Sequence, residues 1–237
     1  MPSSERERIE VKFALPRADL GKLETILEVN CRRVSYRNRT SRVVSLYFDD
    51  HRLSACRENV EGSSGRAKLR LRWYDDPFPR GQAFLEIKRR RGRATSKERH
   101  LLPLDAPLES VRIRETAKAL SRALPEAAAE ALLGRPEAIV IVEYERSYFE
   151  ASSEAGLRIT LDSDLVFYSQ AGGLRPIRTF PVHARDVVIL EAKTPVGGED
   201  RMREILHPLA PRPTRSSKYV LGCQAIGLLP GTHYGVM

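Results

Sequence analysis

Apolar and polar residues alternate strictly through Arg8-Ile-Glu-Val-Lys-Phe-Ala-Leu15: Ile9, Val11, Phe13 and Leu15 share one face, and Arg8, Glu10, Lys12 and Ala14 the other. A period of two predicts a strand with one buried face. Pro16 then stands where a helix can open, and Leu20, Leu23, Ile26 and Leu27 recur at helical spacing to about Asn30. Arg42 to Asp49 reads as a second strand, with Ser45, Tyr47 and Asp49 opposite Val44, Leu46 and Phe48. The stretch ENVEGSSGR, residues 58–66, reads as a turn.

The third strand carries the most information. In Lys68-Leu-Arg-Leu-Arg-Trp-Tyr74, the cations Lys68, Arg70 and Arg72 share a face with Tyr74, and Leu69, Leu71 and Trp73 take the other. After a Pro/Gly turn, Ala83 to Lys88 repeats the arrangement, with Glu86 and Lys88 against Leu85 and Ile87. Arg89 to Arg93 reads as a basic loop, and Lys97 and Arg99 lead a short strand into Leu101. From about Leu108 to Leu133 the period becomes helical, interrupted by Pro125. Strands return at Ala138–Phe149, Leu157–Leu161 and Val187–Lys193, with an irregular segment around Gly172, Gly173 and Pro176 between the last two. The tail predicts a helix near 199–207, prolines at 208, 211 and 213, then Ser216-Ser-Lys-Tyr219 and a last short helix to Leu229. No internal repeat or linker divides the chain, so 1–237 is read as one domain.

Composition narrows the classes. A chain of 237 residues can bury a core without a disulfide or metal staple. Three cysteines without a C-x-x-C pair make a disulfide framework and a zinc ribbon poor readings. The five histidines never fall at i, i+4, so no zincin-type helix is written. No apolar run approaches the ~18 to 20 residues of a membrane helix, and the N-terminus lacks an apolar export core; cytoplasmic residence is the expectation. The net charge of +9 points instead to a polyanionic partner. No helix-turn-helix, RRM signature, zinc finger, Walker A or G-x-G-x-x-G element directs that charge at a nucleic-acid sequence or a nucleotide fold.

The placement of the cations decides more than their number. Several strands carry Lys or Arg on the polar face with apolar residues opposite, and the helical segments offer cover for the apolar faces. A closed barrel would gather the cationic faces into a polar interior. Same-face neighbours on a strand lie ~6.6 Å apart, a spacing that can register with phosphates of an extended chain. Like charges at that density repel, and a bound polyanion is the natural compensation.

Taken in order, Glu10-Val-Lys-Phe13, Ser45-Leu-Tyr-Phe-Asp49, Lys68 to Tyr74, Leu85-Glu-Ile-Lys88, Lys97, Tyr144-Glu-Arg146, Leu157 to Asp162, Leu190-Glu-Ala-Lys193 and Ser217-Lys-Tyr219 resemble the VTC domain. That is the polyphosphate polymerase domain of the triphosphate tunnel metalloenzyme (CYTH-like) superfamily. The resemblance spans about residues 8 to 225. It implies an α+β fold: a closed antiparallel eight-stranded β tunnel with helices packed on the outside. It implies ATP and inorganic polyphosphate as ligands, a divalent metal (Mn²⁺ or Mg²⁺), and transfer of the ATP γ-phosphate to a growing chain. In eukaryotic members a membrane complex accompanies this activity, so a separate membrane protein partner is a further expectation.

Carried over by position, the resemblance makes Lys218, Arg70, Arg72 and Lys88 the catalytic set. Lys12, Lys68, Lys97, Arg146, Arg158, Lys193 and Arg215 become phosphate or nucleotide ligands. Glu191 becomes the metal carboxylate, with Glu10 and Glu86 as outer ligands or, equally, as structural partners of nearby cations. Hydrolase relatives open with Glu-x-Glu-x-Lys; here the triplet is Arg8, Glu10, Lys12, which favours chain extension over two-metal hydrolysis. A triphosphatase or short-chain polyphosphatase of the same fold and a non-catalytic polyphosphate-binding module are the alternatives.

Overall fold

The computed structural model describes residues 8–36, 38–92, 94–104, 106–151, 156–209, 212–214 and 217–230. β1 (Arg8–Pro16) leads through a 3-10 turn into α1 (Leu20–Asn30) and a short β2 (Cys31–Val34). Then come β3 (Ser41–Asp49), α2 (Ser54–Glu61), β4 (Gly65–Tyr74), β5 (Gln82–Arg91) and β6 (Ala94–Pro103). Two helices follow, α3 (Ile113–Ser121) and α4 (Glu126–Leu133), the second capped by Pro125. The chain closes with β7 (Glu137–Ala151), β8 (Arg158–Ser169), β9 (Val182–Ala184), β10 (Val187–Pro195), α5 (Glu199–Leu206) and α6 (Lys218–Ala225).

All pairings are antiparallel, in the order β1-β10-β8-β7-β3-β4-β5-β6, with β2 extending β7 and β9 extending β8. Six strand intervals separate β1 from β5, ~29 Å on a flat sheet. Yet Lys88 of β5 reaches Glu10 of β1 at 3.4 Å. The sheet therefore curls until its distant strands exchange side-chain contacts. It does not close. β1 and β6 are not paired, so the expected sealed barrel is corrected to an open half-barrel. The reason lies at the edge: β6 is largely exposed and carries Lys97, Glu98 and Arg99, the charged composition that blunts an edge strand against pairing.

The convex face is apolar and covered in two parts. α1 and α5 bring Leu23, Leu27, Met202, Ile205 and Leu206 onto Phe13, Phe149, Ile159, Leu161 and Leu190. α3 and α4 bring Ala117, Leu120, Ala128 and Leu132 onto Leu46, Phe48, Leu69, Leu71, Trp73, Leu85 and Ile87. Each fully buried leucine here contributes roughly 1.5–3 kcal/mol. These four helices sit outside, as expected. No helix among the described residues is long and apolar enough to cross a membrane.

α2 and α6 depart from that plan. They pack at one end of the concave side, where Tyr47, Val140, Val142, Phe167, Tyr219, Val220 and Cys223 form an apolar floor. Gly222 makes the close approach of α6 possible: a Cβ there would meet Phe167 at 3.1 Å and Val140 and Val142 at 3.4 Å. The expected turn at 58–66 begins as helix. Asp49 accepts from the Ala55 and Cys56 amides and Asp50 from those of Arg52 and Ser54, which fixes the start of α2 without apolar periodicity. Gly62 at φ 74° ends it. The expected basic loop is also largely strand, since Arg89, Arg90 and Arg91 continue β5; Arg93 lies outside the described residues.

Candidate functional site

The pairing register sets the concave face. Directly opposed residues of antiparallel strands share a face. Glu10 and Lys12 of β1 oppose Lys193 and Glu191 of β10, which in turn oppose Arg158 and Thr160 of β8. Arg146 of β7 opposes both Asp162 of β8 and Ser41 of β3. Arg72 and Arg70 of β4 oppose Ser45 and Tyr47; Lys68, Arg70 and Arg72 oppose Lys88, Glu86 and Phe84 of β5; and Lys88, Glu86 and Phe84 oppose Lys97, Arg99 and Leu101 of β6. Every strand-borne site residue expected from the sequence is therefore on one surface.

Four carboxylates organise that surface. Asp162, with 0% exposure, accepts from Arg146 Nε and Nη2 at 2.5 and 2.8 Å and pairs with Lys218 from the start of α6. Burial alone would raise the Asp162 pKa, but Arg146 and Lys218 hold it below the usual range. Lys218 also lies 4.7 Å from the centre of the Tyr144 ring. Glu86, 3% exposed, takes Arg70 at 2.6 Å, Lys97 at 2.8 Å and Arg72 and Arg99 at 3.6 Å. Against burial, Arg70, Arg72 and Lys97 drive its pKa far down. Arg72 is further fixed by Ser45 and the Tyr144 hydroxyl, each at 3.1 Å.

Glu10 and Glu191 form the third cluster. Lys12 bridges them at 2.9 and 3.2 Å, and Lys193 approaches Glu191 at 2.5 Å and Glu10 at 3.9 Å. Burial opposes ionisation of Glu191, but Lys12 and Lys193 outweigh it and its pKa falls well below normal. Glu10 is lowered as well, its burial and the repulsion from Glu191 overcome by Lys12, Lys193 and Lys88.

Among the described residues, no cluster of three or more His, Cys, Asp or Glu could cage a metal. A small hard cation needs less: one or two carboxylates suffice when substrate phosphates complete the shell. Glu10 and Glu191, hard oxygen donors sharing two ammonium groups, fit that requirement. Glu86 is held among four cations, Arg70, Arg72, Lys97 and Arg99.

Lys68 stands apart. Its Nζ donates to Ser217 Oγ at 2.9 Å, and no carboxylate pairs with it among the described residues. Burial first, then Lys12, Lys88, Arg66 and Arg70, bring its pKa down to about 7. A phosphate chain laid beside it would restore the charge, so binding should take up a proton above pH 7 and affinity should fall as pH rises past that value. Titration of tripolyphosphate at pH 8 in buffers of different ionisation enthalpy should show close to one more proton taken up (~0.9) by the native protein than by Lys68→Met. Equal uptake by both would contradict the assignment.

One expected residue is placed differently. Arg158 lies on the same face but at its outer end, 63% exposed and 3.6 Å from Glu150. Arg215 is outside the described residues. Asp162, Arg99, Ser45, Tyr144 and Ser217 belong to the site although sequence reasoning gave them no role. For Arg99 and Asp162 the alternation with Lys97 and Arg158 was the available signal. For Ser217, which caps α6, the signal was its place in the Ser217-Lys-Tyr219 segment at the start of a helix.

A model of the VTC domain family matches residues 7–226 of this chain. The sequence matches no curated protein. Among solved structures, the chain is similar to the PH1819 protein from Pyrococcus horikoshii OT3, with 15% identity and a TM-score of 0.47 over 91% of this chain and 97% of that one.

Proposed function

The chain belongs to the VTC domain family, which gives it a polyphosphate-related function, and on that footing we propose that it is a polyphosphate polymerase that transfers the ATP γ-phosphate to a growing chain. The observation that carries this reading is the convergence of Lys12, Arg70, Arg72, Lys88, Arg146 and Lys218 from four strands and a helix onto one concave face.

Phosphoryl transfer asks a protein mainly for positioning and neutralisation of charge. Arg70, Arg72 and Arg146 offer guanidinium forks to phosphate oxygens, and Glu86 and Asp162 hold those forks in place. Lys12, Lys68, Lys88, Lys97 and Lys193 act as point charges along the chain, with Arg158 at the outer end and Arg215 a companion to Lys218. Lys218, held by Asp162, stands near the transferring phosphate. Glu191 and Glu10 would hold the divalent ion, Mn²⁺ or Mg²⁺, which when bound neutralises charge building on the phosphate oxygens.

The acceptor distinguishes extension from hydrolysis. A terminal polyphosphate oxygen is already anionic and needs no base, whereas water must be oriented and deprotonated. None of the concave positions set by the register is a histidine, and each carboxylate there is paired with cations.

Incubation with ATP and Mn²⁺ should yield ADP and long polyphosphate, resolved on a gel. ADP with mainly free phosphate would instead make the protein a hydrolase of the same fold. Tight polyphosphate binding without turnover would make it a binding module.

A further inference from the structure

Apart from the apolar floor built by α6, the concave face also carries apolar residues at the opposite mouth. There Phe84 and Leu101, opposed on β5 and β6, join Tyr74 of β4, Tyr148 of β7 and Tyr36 from the loop after β2. Leu101 is 57% exposed and Tyr36 71% exposed. A polar sheet face has no folding reason to show large apolar groups to water, so such a patch points to a ligand.

The patch has two halves. Tyr74 meets Phe84 edge to face at 6.4 Å, and Tyr36 meets Tyr148 in the same way at 5.1 Å. Tyr74 opposes Val43 at the start of β3, and β7 pairs with the other side of that same end of β3 through Arg146 and Ser41, so Tyr74 and Tyr148 line one end of the concave face. Both halves abut the phosphate-site cations. The Arg99 guanidinium lies 3.8 Å from the centre of the Phe84 ring and donates to the Tyr74 hydroxyl at 3.4 Å, while Arg146 lies 6.0 Å from the Tyr148 ring centre and 5.2 Å from that of Tyr144.

We propose that Phe84, Leu101, Tyr74 and Tyr148 seat the planar heteroaromatic base of the nucleoside triphosphate donor. The inference rests on the reading of the concave face as a triphosphate site. Once the phosphates occupy Arg70, Arg72 and Arg146, the nucleoside must leave towards one end. The apolar floor of Tyr47, Tyr219, Val220 and Phe167 occupies part of the other end. At this mouth an aromatic ring stacked with a guanidinium offers the two kinds of surface on which bases stack, and such stacking tolerates any base.

The test compares ATP with ribose 5-triphosphate, which keeps the sugar and the phosphate chain and lacks the base. The native protein should bind ATP about tenfold more tightly, the scale of one stacked base. Phe84→Ala and Tyr148→Ala should each remove most of that advantage and leave ribose 5-triphosphate affinity within about twofold. Leu101→Ala, an exposed position where folding is not at risk, should reduce it about threefold. Equal affinity of the native protein for the two ligands, or variants that weaken both alike, would overturn the seat and leave the triphosphate site standing. Failure of the folded native protein to bind either ligand would remove both.

Discussion

Glu86→Ala should lower the thermal midpoint by about 10 °C, and tripolyphosphate should restore much of the loss. Glu86 is almost fully buried between Arg70, Arg72, Lys97 and Arg99, and its removal leaves four cations facing one another in the empty protein. Breaking a buried ionic cluster from one side costs about 3–5 kcal/mol. The lower end applies here, because Lys97 and Arg99 keep contact with water. In a domain of this size ~3 kcal/mol corresponds to roughly 6–12 °C. A bound polyanion supplies the missing negative charge, so the midpoint should rise more on adding tripolyphosphate to the variant than to the native protein. A variant that melts with the native protein, or that gains no more from the ligand, would mean Glu86 does not hold these cations together.

Lys218→Ala should reduce turnover about 100- to 1000-fold, the scale seen when one preorganised charge donor is lost from a reacting centre. Stability should suffer far less, because Asp162 keeps both hydrogen bonds from Arg146 and is not left unpaired. Tripolyphosphate affinity should fall less than about tenfold, since the other cations of the face remain. Steady-state assays, a thermal melt and a binding titration separate the three effects. Turnover within a few-fold of native would place Lys218 in a purely structural pair with Asp162. An affinity loss as large as the turnover loss would make it a binding residue with no special role at the transferring phosphate.

The amphipathic strands were legible because a period of two survives any tertiary context in which one face is buried. That single regularity put Lys12, Lys68, Arg70, Arg72, Lys88 and Arg158 on the polar faces of their strands, whereas Lys97, Arg146 and Lys193 came from the family resemblance; the register brings all of them to one surface. Closure was not legible. It depends on backbone hydrogen bonding between β1 and β6, and the side-chain pattern of an edge strand resembles that of a paired one. α2 was hidden because its stability comes from Asp49 and Asp50 at its start and not from an apolar stripe. β2 and β9, four and three residues long, are too short to show alternation. The inward position of α6 depends on Gly222 fitting against Phe167 and Val140, a contact between segments far apart in sequence. Glu86 was legible as a partner of nearby cations, whereas Asp162 was underread, because it takes its role from Arg146 on β7 and Lys218 on α6, which no local window contains.

The central claim is that the concave face of the curled sheet receives a linear phosphate chain, and the most direct measurement is a crystal structure of the protein with tripolyphosphate and Mn²⁺. The account predicts phosphate oxygens within hydrogen-bond distance of Arg70, Arg72, Arg146 and Lys218, with the metal at Glu191. Phosphate found only along the exterior arginines, with the concave face left to water, would contradict it.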